Sequence, residues 1–513
     1  MIFKFSKHLC LTIAANFTWA AATLTATEMP NLVYILTDDQ GYGDVSALNP
    51  ESKIPTPNID RLAHEGMIFT DAHSSSSVCT PTRYNVLTGR YAWRTTLKRG
   101  VLNGYGPPLI AEDRLTFASL LRAHGYQTAM IGKWHLGMEL PVLPKEQGSK
   151  AKAIDWAQPI GRTPTSNGFD SFWGHGASLD FPPYVYIEND RYTSQMVSHK
   201  TKEDLGIDST FRPGPIADNF DPFTTMDEFC DRSARYIRSW DGEQPFALYV
   251  PLTSPHTPIL PSNEWKGKSG IGDYADFVMQ TDAGVGRILQ ALDERGIADN
   301  TLVIFTSDNG CSKTADFSNL TQHGHKPSYI FRGSKSDIWE GGHRVPHLVR
   351  WPAQIEAGST SDRLTVLGDI VATLADIVGA ELPDTAAEDS RSFLPALLGE
   401  QDFSKEHEAI INHSVSGIFA IRTKEWKLAF SAGSGGWSSP KDEAALKQGL
   451  PKFQLYNMSD DPGETTNLYD SHPEVVQQLT LLAKEIVTQG RSTPGAPQAN
   501  DTENNWKQLQ WMQ

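Results

Sequence analysis

The apolar positions of the chain follow two rhythms. Asn31–Thr37 (NLVYILT) is an unbroken apolar, β-branched run that stops at Asp38-Asp39 and a pair of glycines. A run with no polar alternation predicts a strand buried on both faces, ending at the carboxyl edge of a parallel sheet. Similar runs recur at Thr128–Ile131, Pro245–Pro251 and Thr301–Thr306. Between them, Asn58–Glu65, Leu115–Ala123, Thr225–Trp240 and Ala275–Arg295 carry apolar residues at helical spacing. Strands alternating with helices predict an α/β fold, a large mostly parallel or mixed sheet sandwiched by helices. Ligands of such sheets gather beyond the carboxyl ends of the strands. The polar residues directly after each apolar run are therefore the candidates for chemistry.

The pattern changes twice along the chain. Residues 139–224 are rich in Pro, Gly and aromatics and read as long insertions over the site. Near Ala380–Ser390 the helical spacing gives way to short alternating segments, Gly417–Thr423, Trp426–Phe430 and Gln454–Met458, followed by a helical run at Pro473–Gln489. These predict a small antiparallel sheet under one helix. The expected organisation is a leader over residues 1–27, a catalytic domain over 28–385, and a C-terminal α+β subdomain over 386–513 with a flexible tail after Thr493.

The leader follows from Lys4, Lys7 and His8, the apolar stretch Leu9 to Ala22, and the small residues Ala20-Ala21-Ala22. Interrupted by Asn16, it is too short for a membrane span, which predicts a secreted or periplasmic protein without a membrane anchor. The 513 residues are 39% hydrophobic and 21% charged, values of a globular protein. The formal net charge of −16 argues against nucleic acid as a partner. An anionic substrate would then need a local cluster of positive groups. With Cys10 in the leader, Cys79, Cys230 and Cys311 remain, an odd number that leaves at least one thiol unpaired.

Four segments place reactive groups after strands. In Thr37-Asp38-Asp39-Gln40-Gly41, adjacent carboxylates repel unless a cation is shared. Alone, the pair reads equally well as a solvated acidic loop. Thr306-Ser307-Asp308-Asn309-Gly310 adds one charged and one neutral oxygen donor, though Asp-Asn alone is more often a turn. Together the two segments suit Ca²⁺ or Mg²⁺ better than zinc, for neither contains histidine. Positive groups follow other strands: Lys133 and His135 in Gly132–Gly137, His256 in Ser254–Pro258, and Lys335 ahead of Trp339–Pro346. The remaining segment is Ser77-Val78-Cys79-Thr80-Pro81-Thr82-Arg83 with Leu87-Thr88-Gly89-Arg90.

The C-x-P-x-R of Cys79–Arg83 and the L-T-G-R that follows resemble the signature of the type I sulfatases, of the alkaline phosphatase superfamily. The resemblance extends from Pro30 to about Asn467, is strongest before Gly137, and includes Leu455–Met458 with Asp460–Glu464. It implies that a maturation enzyme oxidises Cys79 to Cα-formylglycine, which also accounts for the odd thiol. A hydrated aldehyde carries two hydroxyls on one carbon: one attacks sulfur, and the other, once deprotonated, reforms the carbonyl and expels sulfate. A serine would be left as a stable sulfate ester.

The family pattern implies metal ligation by Asp38, Asp39, Asp308 and Asn309 with the modified Cys79, usually to calcium, with Mg²⁺ as the alternative. It gives Arg83 to the hydrate, Lys133 to the sulfate, and His135 to the proton that triggers release. His256 and Lys335 flank the ester oxygen, with His256 as general acid, and Ser178 touches the hydrate. Trp93, Arg94, His175, Asp180, His325 and Trp339 lie beside these blocks or in insertions and are candidates for contacts to a sugar. The expected activity is exo-hydrolysis of sulfate monoesters on a sulfated carbohydrate, of galactose type. Two other readings stay open: a phosphomonoester or phosphonate hydrolase on the same fold, and a catalytically silent sulfated-sugar-binding protein.

Overall fold

The computed structural model describes residues 29–143, 153–400, 402 and 404–513; the expected leader lies outside them. The run Asn31–Thr37 forms strand β1, buried at every residue. It lies inside a ten-stranded sheet. The other strands, in chain order, are β2 (Met67–Phe69), β3 (Gln127–Lys133), β4 (Ser171–His175), β5 (Ile187–Glu188) and β6 (Arg191–Tyr192). They continue with β7 (Phe246–Pro251), β8 (Thr301–Ser307), β9 (His347–Arg350) and β10 (Ser359–Ser361). Their spatial order is β10-β2-β9-β8-β1-β7-β3-β4-β5-β6.

The run β8-β1-β7-β3-β4 is parallel throughout, and β9 and β5 flank it antiparallel. The four predicted apolar runs are four of these five strands. The register pairs Leu36 with Pro251 and Thr37 with Ser307, so β7, β1 and β8 end level with one another. Everything that follows them in sequence therefore emerges on one edge. The helices gather in two groups: α1 (Pro57–His64), α4 (Thr225–Ser239) and α5 (Asp273–Arg295), and α2 (Cys79–Thr88), α3 (Phe117–Ala123) and α6 (Ile370–Val378). Phe117 of α3 packs on Tyr34 of β1 and Tyr249 of β7, tying the second group to the sheet.

A second sheet is antiparallel: β11 (Ile410–His413), β12 (Phe419–Arg422), β13 (Trp426–Ala429) and β14 (Gln454–Asn457). Leu479, Ala483 and Val487 of helix α7 (Pro473–Gln489) close its core against Ile421 and Leu428. The sequence does not flag β11. Ala387, Phe393 and Leu397 belong to the core of the large sheet, so the change of unit falls after residue 385, ahead of Ile410. The tail is also held rather than flexible. Leu509 is buried, Trp511 stacks on Phe430 at 3.9 Å between ring centroids, and Asp501 pairs with Arg90 at 2.9 Å.

Candidate active site

Two carboxylates leave β1 in different directions because Asp39 adopts a left-handed φ of 65°, a conformation Asp tolerates better than most residues. Its amide donates to Asp308 Oδ1 at 3.3 Å, locking the turn after β1 to the turn after β8. Asn309 Nδ2 donates to Asp39 Oδ1 at 2.7 Å. Cys79 opens α2, and Gly89 closes that helix with a φ of 63°. The helix N-terminus faces the site with its partial positive charge. Arg83, one turn on, shares that face. Its guanidinium reaches Asp308 Oδ2 at 2.7 Å and Asp38 Oδ1 at 3.6 Å, with no exposure to solvent.

The lysines come from opposite sides. Lys133, the last residue of β3, bonds Asp38 and donates to Ser178 Oγ at 3.3 Å. Lys335 bonds Asp39 Oδ1 at 2.6 Å and lies 3.6 Å from Cys79 Sγ. His256, after β7, turns Nδ1 to the Thr257 carbonyl and to Ser178 Oγ, and Nε2 to Asp39 Oδ2 at 3.7 Å. His135 Nε2 donates to the Leu102 carbonyl at 2.7 Å, which fixes the tautomer and leaves a buried, unpartnered Nδ1 as the acceptor. Burial and the neighbouring Lys133 and Arg83 charges hold His135 well below the usual histidine range.

Burial opposes ionisation of Asp38, yet the charges of His256, Lys133, Arg83 and Lys335 pull it well below the usual carboxylate range. Asp308 goes the other way: burial and the adjacent Asp38 carboxylate push it up to about 7 in spite of Arg83. Crowded carboxylates of this kind ask for a cation. The donors fit one: Asp38 Oδ1, Asp39 Oδ2 and Asn309 Oδ1 are buried oxygens with no hydrogen-bond partner. One ligand atom each from Asp38, Asp39, Cys79 and His256 lies within 4.8 Å of the others. His256, which follows a third strand, lies beside this oxygen-donor set. Oxygen donors with this much negative charge suit a hard divalent ion such as Ca²⁺ or Mg²⁺.

The structure therefore gathers Asp38, Asp39, Cys79, Arg83, Lys133, Ser178, His256, Lys335, Asp308 and Asn309 into one cluster. His175 ends β4 beside Lys133, stacked on Phe229, and burial drives it down to about 3. Asp180 is buried against Arg212, whose guanidinium lies over the Phe181 ring.

Four residues expected at a sugar are packed elsewhere. Trp93 is buried between Tyr91 and Phe419. Arg94 is fully buried in an ion pair with Asp389 at 2.7 Å. Trp339 is buried and donates its indole N–H to Gln454 Oε1 at 2.9 Å. His325 bonds Asp44 at 2.8 Å, behind the Asp39 turn, where Tyr274 donates to the same aspartate. Arg94, Trp339 and His325 have their polar atoms partnered within the fold, and Trp93 is held by ring packing alone, its indole nitrogen being buried without a partner. Asp337, which no motif marks in the sequence, accepts at its carboxylate from the amides of Ser334, Trp437 and Ser438 and so frames Lys335. An aspartate two residues beyond a loop lysine is the one signal it offers.

A sulfatase family profile matches residues 30–380, and a second profile, N-sulphoglucosamine sulphohydrolase, C-terminal, matches residues 334–438. The chain is 31% identical over 503 residues to an N-acetylgalactosamine-6-O-sulfatase of Bacteroides thetaiotaomicron, covering 90% of this chain and 94% of that protein. It is 32% identical over 492 residues to human arylsulfatase A, covering 91% and 90%. A solved structure described under metabolism of multiple glycosaminoglycans by B. thetaiotaomicron superposes with a TM-score of 0.78 at 31% identity, covering 90% of this chain and 99% of that one.

Proposed function

The chain belongs to the sulfatase family, and from that premise we propose that it removes sulfate from a sulfated carbohydrate of galactosamine type, with residue 79 as nucleophile. It is a sulfuric ester hydrolase. The observation that carries the site assignment is Cys79 at a helix N-terminus, with Lys335 at 3.6 Å and a set of buried, unpartnered oxygens beside it.

Conversion of Cys79 to formylglycine would supply a hydroxyl nucleophile together with a built-in route for sulfate release. A divalent cation held by Asp38, Asp39, Asp308 and Asn309 would supply Lewis-acid stabilisation of the charge on the sulfate group. The rest is the work of the side chains. Lys335 and Lys133 approach from opposite sides and bind the sulfate oxygens. Arg83, pinned by Asp308 and Asp38, holds position 79 in place through the shared face of α2. His256, oriented by Thr257 and Ser178 through Nδ1, would donate a proton from Nε2 to the leaving oxygen as the imidazolium, the form in which both ring nitrogens carry hydrogen. His135 accepts a proton at Nδ1, its other nitrogen being committed to Leu102. Three cationic side chains, Arg83, Lys133 and Lys335, face three carboxylates, Asp38, Asp39 and Asp308.

A leader directing export agrees with this reading, and no helix among the described residues is long and apolar enough to cross a membrane. The test joins the peptide mass of residue 79 to sulfate release from N-acetylgalactosamine 6-sulfate and from 4-nitrophenyl phosphate. The expected result is a formylglycine mass, turnover of the sulfated sugar, and loss of at least 10³-fold in kcat for Cys79→Ala. A rate on the phosphate a hundredfold above that on sulfate esters would transfer the site to phosphoryl chemistry. Retained turnover in Cys79→Ala would remove the nucleophile.

A further inference from the structure

Trp437 is 48% exposed, and among the described residues no other large aromatic side chain is left so open to solvent. An exposed indole offers an apolar face with a polar edge, the kind of surface that packs on a ligand which is itself part apolar and part polar. Its loop is not a loose excursion. The Trp437 amide donates to Ser336 Oγ and to Asp337 Oδ1, each at 2.9 Å. Ser438 N donates to Asp337 Oδ1 at 2.9 Å, Ser434 N to the Pro440 carbonyl at 3.0 Å, and Ile338 N to the Ser434 carbonyl at 2.8 Å. Gly436 packs so closely on the Ser336 carbonyl that a Cβ would lie 2.2 Å from that oxygen.

The residues that grip this loop, Ser336, Asp337 and Ile338, directly follow Lys335, which touches Asp39 and Cys79. Ser336 is itself held to the segment leading into the active-site helix, its amide donating to the Ser77 carbonyl at 2.7 Å. The Trp437 backbone is thus anchored at the residue next to Lys335, the lysine at the nucleophile. A loop backbone already ordered before binding lowers the ordering cost of binding.

We infer that the Trp437 indole is the stacking platform for a pyranose ring of the saccharide whose sulfate is held at Cys79. The inference rests on the carbohydrate-sulfatase reading above and adds the residue that recognises the sugar. Chemistry favours this occupant. A galacto-configured ring presents a face of C–H groups that packs on a π surface, while its hydroxyls point to the rim. The anionic end is provided for by Lys335 and Lys133, so the apolar face is what remains to be bound.

The test compares Trp437→Ala and Trp437→Phe with the wild type on an oligosaccharide bearing N-acetylgalactosamine 6-sulfate and on 4-nitrophenyl sulfate. The ratio of kcat/KM on the saccharide to that on the aryl sulfate should fall about tenfold in Trp437→Ala, carried by KM, with most of it restored in Trp437→Phe. An unchanged ratio in an enzyme whose wild type desulfates the saccharide overturns the platform alone. A wild type that turns over the aryl sulfate and ignores the saccharide overturns the carbohydrate reading and the platform with it. Because the loop is held through its backbone, both variants should unfold at the wild-type temperature. A fall in kcat on both substrates with a lowered melting temperature would make Trp437 a structural residue and overturn the inference.

Discussion

His347 in β9 is held between the rings of Phe69 and Phe393, at centroid distances of 5.1 and 5.7 Å, and neither of its ring nitrogens has a partner. Burial drives its pKa down to about 3. The native state therefore keeps the ring neutral at a pH where the unfolded chain, with an ordinary value near 6.5, protonates it. Between those two values the unfolded state binds the extra proton, so stability falls as pH falls through the window, by roughly 1.4 kcal/mol per pH unit for this side chain. Urea unfolding at pH 7 and pH 5 should show the wild type losing about 2 kcal/mol more than His347→Leu. Equal losses would mean that the native protein protonates His347.

Single positions were legible in the sequence to very different degrees. Cys79 and Arg83 stand out because a thiol, a proline and an arginine at that spacing have few other uses. Trp93-Arg94 gives the same letters whether the indole stacks on a sugar or, as here, on Tyr91, and whether the guanidinium meets a sulfate or Asp389.

At the scale of elements, four of the five parallel strands are the clearest feature, because burial on both faces confines their strongly polar residues to the strand ends. Helix α2 carries no such mark. All ten of its residues are buried, so apolar and polar positions follow no helical rhythm, and its identity comes from the groups it must hold. Strand β11 escapes notice because IINH, buried at all four residues, shows no alternation of apolar and polar positions. Arg94 illustrates what an element-level role predicts. It follows Trp93 in a short turn, reaches Asp389 with both Nε and Nη2 at 2.7 Å, and is also bonded to the Ile486 carbonyl of α7 at 3.2 Å. Arg94→Ala would leave the Asp389 carboxylate buried and unpaired, a cost of about 3–5 kcal/mol. Calorimetry should show a melting temperature lowered by several degrees, while KM for an aryl sulfate stays within twofold. A raised KM with an unchanged melting temperature would return Arg94 to the substrate.

At the scale of the whole molecule, the small sheet is part of the active site's foundation. Residues 74–77, the approach to Cys79, run alongside β11: His413 N donates to the Ser75 carbonyl at 3.2 Å and Ser77 N to the His413 carbonyl at 3.0 Å. Asn412, in an N-x-S sequence, is fully buried and donates to the Ser74 carbonyl at 2.7 Å, so it serves packing and is closed to a glycan. Charged groups cross the same seam. Lys427 of β13 pairs with Glu340 at 3.0 Å and with Glu464 at 2.8 Å, and Arg422 of β12 pairs with Asp71 at 3.0 Å, all buried. Removing the small sheet would strand Glu340 and Asp71 without those cations and release the strand that aligns the nucleophile. A chain ending at residue 408 is therefore expected to give no folded, active enzyme. Asn412→Ala is the graded version: it leaves one buried carbonyl without its donor, at a cost of about 1–3 kcal/mol. Because the slack falls on the segment leading to Cys79 and not on the sulfate-binding lysines, kcat should drop several-fold with KM nearly constant. A 29–408 fragment that folds and cleaves aryl sulfates would show that the large sheet builds the site unaided.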